Sequence, residues 1–383
     1  MRRSVSLAAC GAVLVAGLSL FGGTATAGNP PGSVIVGHTY VNDNPAGPNT
    51  IAAFARHADG SLTPIPGSPF AIGGSGLGTG LGSQGAIQAS GDHRFLLAVD
   101  AGSNQISVLR LTSDGVPEPV GEPISSGGVT PVSIAISPSG LVYVANVGTG
   151  GSNYTGFRLT PKGKLIPLPH TTVPVPEGSG VGDVLFNSTG DRLVGTRDTT
   201  SLIDSFTVQP NGRLRAAPGS PFPAQSLGPI GSEFRPTNPS QLYVSNAHAG
   251  TSNGTVSAFT VSTTGVLTSI TGSPFPDGQT APCWVEISHD GRYLFVVNTG
   301  SANLSRYAIN TDGSLTLIGT TGFTNGAGAV DARLSPDGKF LSVTGGRALV
   351  ISSFAVDGAN LTELPSSPTP LPAGTSPMGI VVL

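Results

Sequence analysis

Short apolar runs separated by turns follow one another along most of this 383-residue chain. One phrase recurs, in which an apolar strand, a turn ending in Gly and a second apolar strand lead to a final Asn or Asp. Clear copies read IAISPSGLVYVAN, VLFNSTGDRLVGT, VEISHDGRYLFVVN and ARLSPDGKFLSVT, and looser copies read IQASGDHRFLLAVD and SEFRPTNPSQLYVSN. Because successive side chains of a strand point to opposite faces, each half of the phrase predicts a β-strand. A third and a fourth short strand follow each phrase, and Gly and Pro interrupt every helical window beyond the N-terminal segment.

The phrase repeats about every 50 residues, which is the period of a β-propeller blade. Complete units begin near residues 84, 131, 181, 229, 282 and 329. Residues 33–70 form a unit without its first strand, and residues 377–382 read as a first strand with nothing after it. We therefore predict one all-β domain, a seven-bladed β-propeller with four-stranded blades. The C-terminal strand would join the N-terminal blade, and this closure removes free sheet edges.

The N-terminus has the order of a secretory signal. Arg2 and Arg3 precede an apolar run to Phe21, and Ala25-Thr26-Ala27 supplies small residues for cleavage. The run is short for a membrane anchor. We predict that residues 1–27 are a cleaved signal peptide and that residues 28–383 form the secreted, extracellular propeller domain.

The composition and charge of the chain exclude several classes of binding partner. Charged residues make up only 10 % of the chain and the formal charge is −3, with no basic run that would indicate nucleic acid binding. No other apolar run predicts membrane insertion. After cleavage Cys283 is the only cysteine, so no intrachain disulfide is expected. The histidines show no metal-ligand spacing, and we predict a monomer without metal or cofactor.

These phrases resemble the secreted bacterial branch of the lactonase-like seven-bladed propellers, which includes a 6-phosphogluconolactonase and the carboxymuconate lactonizing enzyme. The resemblance covers nearly all of the mature chain. The residues that carry it are Ala281-Pro-Cys-Trp284, Ser288-His-Asp-Gly-Arg-Tyr293, Val297-Asn-Thr-Gly300, Asp312-Gly-Ser-Leu315, Ser335-Pro-Asp-Gly338 and the Gly-Ser-Pro-Phe turns.

The resemblance implies a motif that this chain lacks. Enzymes of the family carry Pro-Arg-His entering one innermost strand and Asn-Glu after a second strand. Neither motif occurs in this sequence. No catalytic residue is therefore carried over from the family.

Alternation along the innermost strands separates two columns of side chains. The apolar column should pack between blades, and it comprises Ile134, Ile136, Val184, Phe186, Val285, Ile287, Ala332, Leu334, Ile380 and Val382. The other column comprises Gln88, Ser133, Asp183, Glu233, Trp284, Glu286, Asp331 and Arg333. Because carboxylates enter a packed core only when paired, we expect this second column to reach a solvated axial channel or its mouth.

Loops between second and third strands add further candidates at the face where the innermost strands begin, namely Asp43, Asp100, Arg197, Asp198, His248 and Arg347. The Gly-rich run at 73–85 predicts a flexible loop over that face, in the position of a lid. Trp284 either plugs the channel or stacks on a ligand.

Two functions remain open. In the first, the protein is a non-catalytic platform that binds a polar or anionic small molecule, or a protein partner outside the cell, at the channel mouth. Its ligand-binding candidates are Arg197, Glu233, His248, Trp284 and Arg333. In the second, it is a metal-independent lactone-opening or lactone-forming enzyme with a diverged site. Asp183, Glu286 and Asp331 are then the catalytic candidates, since burial can convert a carboxylate into a base near neutral pH.

Overall fold

The computed structural model describes residues 34–324 and 328–383. The predicted signal peptide at 1–27 lies outside the described residues. Every regular element within these residues is a β-strand, and no helix among them is long and apolar enough to cross a bilayer.

Seven antiparallel sheets form the blades of a propeller, as the repeat predicts. Blade 1 contains β1 (Ile35–Asn42), β2 (Gly47–His57), β3 (Leu62–Pro64), β4 (Phe70–Gly76) and the last strand, β34 (Met378–Val382). Blade 2 contains β5 (Ile87–Ala89), β6 (Phe95–Asp100), β7 (Gln105–Leu111), β8 (Pro117–Pro119) and β9 (Ile124–Ser125). Blade 3 contains β10 (Pro131–Ile136), β11 (Leu141–Asn146), β12 (Asn153–Leu159), β13 (Leu165–Pro167) and β14 (Val173–Pro174).

The remaining four blades repeat this order. Blade 4 contains β15 (Val181–Phe186), β16 (Arg192–Arg197), β17 (Leu202–Val208), β18 (Leu214–Ala216) and β19 (Phe222–Pro223). Blade 5 contains β20 (Pro229–Arg235), β21 (Asn238–Asn246), β22 (Thr255–Val261), β23 (Leu267–Ser269) and β24 (Phe275–Pro276). Blade 6 contains β25 (Pro282–Ile287), β26 (Tyr293–Asn298), β27 (Asn303–Ile309) and β28 (Leu315–Gly322). Blade 7 contains β29 (Ala329–Leu334), β30 (Phe340–Gly345), β31 (Val350–Asp357), β32 (Asn360–Glu363) and β33 (Thr369–Pro370).

The ring closes as predicted, with the C-terminal β34 as the innermost strand of blade 1. It pairs antiparallel with β1, placing Val381 opposite Tyr40 and Ile380 opposite Val41. The Arg56 guanidinium adds a hydrogen bond from Nε to the Leu383 carbonyl at 3.3 Å. The two ends of the described chain therefore hold each other in one sheet.

The outermost strand differs in detail from the sequence prediction. In six blades two short segments, such as β3 and β4, pair with the same third strand, so the fourth strand is broken in two. A serine hydroxyl fastens the break in several blades; Ser68 Oγ, for example, accepts the Ala53 amide at 2.9 Å. Among the blades as the described residues form them, blade 6 alone has an unbroken outer strand, β28.

The apolar column of the innermost strands packs between blades, as predicted. Ile134, Val184, Val285, Ala332 and Ile380 are each at most 1 % exposed. Tyrosines add polar ties across the same interfaces, since Tyr143 Oη donates to the Gly212 carbonyl of the next blade at 2.8 Å. This rigid packing fixes the innermost strands around the axis.

Candidate functional site

The other face of the innermost strands supplies two rings of axial side chains, one residue from each blade. The first axial ring lies nearer the face where these strands begin and comprises Ala86, Ser133, Asp183, Gly231, Trp284, Asp331 and Gly379. The second axial ring lies two residues farther along each strand and comprises Gln88, Ala135, Leu185, Glu233, Glu286, Arg333 and Val381. The register thus brings the predicted axial candidates of blades 4 to 7 together.

In the second axial ring, each acidic side chain reaches to the next blade. Glu286 accepts the Leu334 amide through Oε1 at 2.8 Å and the Arg333 guanidinium through Oε2 at 2.8 Å. Glu233 likewise accepts the Ile287 amide through Oε2 at 3.0 Å. An innermost strand leaves its axial edge without a neighbouring strand, so these N–H groups need other acceptors. The two carboxylates provide these acceptors and so link each blade to the next.

Charge balance in this ring favours protonation of Glu233. Burial is the main cause that raises its pKa well above the usual value, and the neighbouring Glu286 carboxylate adds to the effect. Burial alone would lower the pKa of Arg333, but Glu286, Asp331 and Glu233 outweigh it and raise that pKa. A proton on Glu233 therefore leaves Arg333 paired with Glu286.

The first axial ring holds two carboxylates with raised pKa values. Asp183 accepts hydrogen bonds from Ser232 Oγ at 2.6 Å, from the Ser232 amide at 3.1 Å and from Ser133 Oγ at 3.2 Å. Burial raises its pKa to about 7 despite these donors. Burial also raises the pKa of Asp331 to about 6, against the attraction of the Arg333 charge. Both aspartates can thus hold or release a proton near neutral pH.

Residues 83–85 belong to the loop that connects blade 1 to blade 2, and they fill the axis at the level of the first axial ring. We call this segment the axial plug. Trp284 Nε1 donates to the Ser83 carbonyl at 2.7 Å, and Gln84 Nε2 donates to the Val285 carbonyl at 3.2 Å. The Gly85 amide donates to Asp331 Oδ2 at 3.2 Å. Ser83 is fully buried and Gln84 is 3 % exposed.

Two expectations from the sequence are corrected here. The run at 73–85 is not a flexible lid, since it begins within β4 and ends in the buried axial plug. The polar column is not solvated along its length, because Asp183, Glu286 and Asp331 are 2 %, 5 % and 1 % exposed. Hydrogen bonds to neighbouring blades replace the water that these carboxylates were expected to require.

At the opposite face, beyond the second axial ring, several axial side chains reach solvent. Gln88, Leu185 and Glu233 are partly exposed there, and the Arg333 side chain is 21 % exposed. We call this region the exit mouth. It is lined by an amide, an apolar group and charged groups, which suits a small polar ligand.

Comparisons with known proteins agree with the propeller fold. Residues 234–321 match the family model described as lactonase, 7-bladed beta-propeller. Over these residues the chain is similar to the lactonase family of seven-bladed propellers. No curated protein matches it.

Solved structures share the propeller fold of this chain at low identity. A putative 6-phosphogluconolactonase from Bacteroides uniformis is 18 % identical, with a TM-score of 0.72 over 90 % of this chain and 98 % of its own. The periplasmic gluconolactonase of Pseudomonas aeruginosa gives the same identity, TM-score and coverage. A protein from Lactobacillus plantarum is 19 % identical, with a TM-score of 0.71 over 90 % of this chain and 98 % of its own.

Arg197 lies away from the axial charges, at the end of β16. Its Nε donates to Asp204 Oδ2 at 2.6 Å and its Nη2 donates to Asp204 Oδ1 at 2.5 Å. Tyr154 Oη of the preceding blade donates to the same carboxylate at 2.9 Å. This guanidinium therefore joins two strands of blade 4.

The loop candidates of the propeller do not form one cluster with the axial residues. His248 and Arg347 are exposed, and Asp198 is partly exposed. Asp43 and Asp100 are fully buried, and burial raises their pKa values to about 7 and about 6. Asp100 accepts Ser107 Oγ at 2.7 Å and Asn49 Nδ2 at 2.9 Å within the blade 1 and blade 2 sheets.

Sequence reasoning missed the residues that close the axis and fasten Asp183. Ser83, Gln84 and Ser232 carry no motif, and only their contacts with strands far away in the sequence reveal their roles. In the described parts of the chain, no group of three or more His, Cys, Asp or Glu side chains is arranged to hold a metal ion.

Proposed function

We propose that this lactonase-like propeller is a non-catalytic binding platform whose ligand enters at the exit mouth. The observation that carries the proposal is the engagement of the axial charges by the protein itself. Glu286 accepts hydrogen bonds from Arg333 and a backbone amide, and Asp183 accepts hydrogen bonds from two serine hydroxyls. A general base needs a free oxygen that can reach its proton, which these contacts oppose.

The axial plug supports the same function. A site that turns over a lactone needs room for the ring, the attacking water and the groups that stabilise developing charge. At the first axial ring this space contains Ser83, Gln84 and the Trp284 ring. The raised pKa values of Asp183 and Asp331 are then a consequence of burial within a structural network.

The exit mouth offers the polar contacts for binding. Gln88 carries both a donor and an acceptor, and the partly exposed Arg333 side chain retains N–H groups beyond its bond to Glu286. We propose a small polar or anionic ligand, recognised outside the cell by a secreted, monomeric protein. In a second form of this proposal, the exit mouth binds a protein partner outside the cell instead of a small molecule. Membrane insertion, nucleic acid, metal and cofactor form no part of it.

A second candidate function is the opening or closing of a lactone ring without a metal. The pKa of about 7 on Asp183 favours it, because a carboxylate with that pKa accepts a proton efficiently at neutral pH. In ring opening, the base would take a proton from water as its oxygen bonds to the lactone carbonyl. The C–O bond of the lactone ring then breaks, and the released ring oxygen takes up the proton from the base. The names of the gluconolactonase structures give this candidate its substrate class.

One experiment on the mature protein, residues 28–383, separates the two functions. Acid release is followed at fixed pH against aliphatic, sugar and muconate-type lactones, and the same compounds and their open acids are tested for saturable shifts in Tm. The platform predicts no turnover and a shift that Gln88→Ala removes. Turnover above buffer that Asp183→Asn abolishes would overturn it in favour of the enzyme. Absence of both turnover and any saturable shift would overturn the small-molecule proposal.

A further inference from the structure

A groove between blades 2 and 3 gathers cationic side chains away from the axis. One cavity of about 640 Å³ is lined by Arg94, Phe95, Ser137, Ser139 and Arg158, among others. A second cavity of about 340 Å³ shares Arg94, Phe95 and Pro161 with it and adds Arg110 and Lys162. We call these two neighbouring cavities the cationic groove.

The charge of this groove is opposite to that of the whole chain. Four cationic groups line it, whereas Asp92 is the only carboxylate among its lining residues. Asp92 pairs with Arg94 at 2.7 Å, and both side chains remain about half exposed at 49 % and 55 %. The chain as a whole carries a formal charge of −3. The groove is therefore a local site of positive potential on an acidic protein.

Comparison of the seven blades indicates that the fold itself does not require these cations. Arg110 and Arg158 occupy the same register position, opposite the first residues of β6 and β11. The other blades place small neutral residues there: Ala55, Thr207, Thr260, Ala308 and Ala355. Lys162 precedes the turn glycine at a position where other blades have Asp59, Asp114, Asn211, Thr264 or Asp312. Three departures from the repeat thus coincide in one groove.

Two of the guanidinium groups are held in place by the protein. Arg94 and Arg110 lie 5.3 Å and 5.8 Å from the centroid of the Phe95 ring. Arg94 also donates to the Pro161 carbonyl at 3.0 Å, and Arg110 donates to the Lys162 carbonyl at 3.5 Å. Each guanidinium has five N–H donors, so most of those of Arg110 remain available to a ligand. Positions fixed in advance reduce the ordering cost of binding.

We propose that the cationic groove binds a polyanion, a chain molecule that carries repeated phosphate or sulfate groups. The larger cavity alone exceeds the size of a single oxyanion, and the cations are spread over both cavities. Guanidinium groups match the oxygens of phosphate and sulfate with paired hydrogen bonds. The exposed Ser139 hydroxyl lines the same groove and suits the ester or sugar oxygens between the anionic groups. This site is distinct from the exit mouth and goes beyond the proposed function.

Binding to the mature protein tests the proposal with three probes: a heparin oligosaccharide, a short polyphosphate and inorganic phosphate. At low salt we expect saturable binding of a polyanion that weakens as salt rises. Arg110→Ala and Lys162→Asp should each weaken it about tenfold, the scale of one or two charge-assisted hydrogen bonds. The heparin and polyphosphate arms distinguish sulfate from phosphate as the preferred group.

Blade 6 supplies a matched control. Arg292 pairs with Asp290 at 2.6 Å and lies 5.3 Å from the Tyr293 ring centroid, as Arg94 does with Asp92 and Phe95. Its groove lacks the additional cations, since Ala308 and Ala355 replace them. Arg292→Ala should leave binding unchanged. The proposal is overturned if neither polyanion binds, if Arg292→Ala weakens binding as much as Arg110→Ala, or if inorganic phosphate binds as tightly as the polyanions. Gln88→Ala alters the exit mouth and not the cationic groove, so the proposal for each site can be overturned without affecting the other.

Discussion

Arg197 and Asp204 form a buried two-point ion pair across β16 and β17, at a position where blade 6 uses two neutral side chains. The two residues are seven apart, as are Asp100 and Ser107 in blade 2 and Asn298 and Ser305 in blade 6. In each case a side chain at the end of the second strand bonds to one on the third. The ion pair is therefore a charged version of a structural contact that the repeat builds elsewhere.

Removing one member of this pair should destabilise the protein strongly. Arg197→Ala leaves the Asp204 carboxylate buried with only Tyr154 as a donor, and loss of one partner of a buried pair costs about 3–5 kcal/mol. Denaturant unfolding measures the loss. The double variant Arg197→Asn with Asp204→Ser recreates the blade 6 pair and should be more stable than Asp204→Ser alone. A double variant no better than the single one would contradict the equivalence of the two positions.

Stability should fall as pH rises from 5 to 8. Burial raises the pKa of Asp183 to about 7 and that of Asp331 to about 6, whereas an unfolded Asp titrates near 3.8. Between these values the folded state binds more protons than the unfolded state, so the free energy of unfolding decreases until the folded groups have ionised. Urea midpoints at pH 5 and pH 8 measure the decrease, and Asp183→Asn should make it smaller.

An exposed aspartate provides the control for this pH dependence. Hydrogen bonds from Ser314 lower the pKa of Asp312, so this group is ionised in both states throughout pH 5 to 8. Asp312→Asn should leave the decrease unchanged. A midpoint that rises with pH would show that the axial aspartates are not buried as described.

The axial plug should shield the single tryptophan from solvent. Trp284 is 3 % exposed, so acrylamide should quench its fluorescence weakly in the native protein. Gly231→Ala would place a Cβ atom 2.6 Å from the Cys283 carbonyl oxygen, which forces the backbone or the plug to move. We expect stronger quenching and a loss of about 1–3 kcal/mol from this overpacking. Gly91→Ala, whose Cβ meets nothing within 4 Å, is the control that should change neither quantity.

Closure of the ring should depend on the packing of β34. Ile380 is fully buried, and truncation of such a side chain to alanine typically costs about 2–5 kcal/mol. Ile380→Ala should therefore lower the denaturant midpoint markedly. Leu317→Ala, on the outer strand of blade 6 and 43 % exposed, should change stability by only about 0.5 kcal/mol. Equal effects of the two substitutions would argue against closure through β34.

Several features of the fold follow from local sequence alone. The alternation around Ile134 and Val285 and the turn glycines such as Gly140 predict the strands, their order and the number of blades. The unpaired first strand at 377–382 predicts the closure. These predictions succeed because each depends on neighbouring residues, and because every blade repeats the same choice of apolar face and turn.

The candidate site depended instead on contacts between distant parts of the chain. Gly85 and Asp331 are 246 positions apart, and their hydrogen bond decides that the axis is filled by the plug. The sequence identified Asp183, Glu233, Glu286, Asp331 and Arg333 as axial groups from strand alternation. Only the tertiary structure decided that they bond to the next blade and to one another, and that Arg94, Arg110, Arg158 and Lys162 meet in one groove. The physical reason is that electrostatic pairing and burial depend on distance in space, which the repeat pattern does not encode.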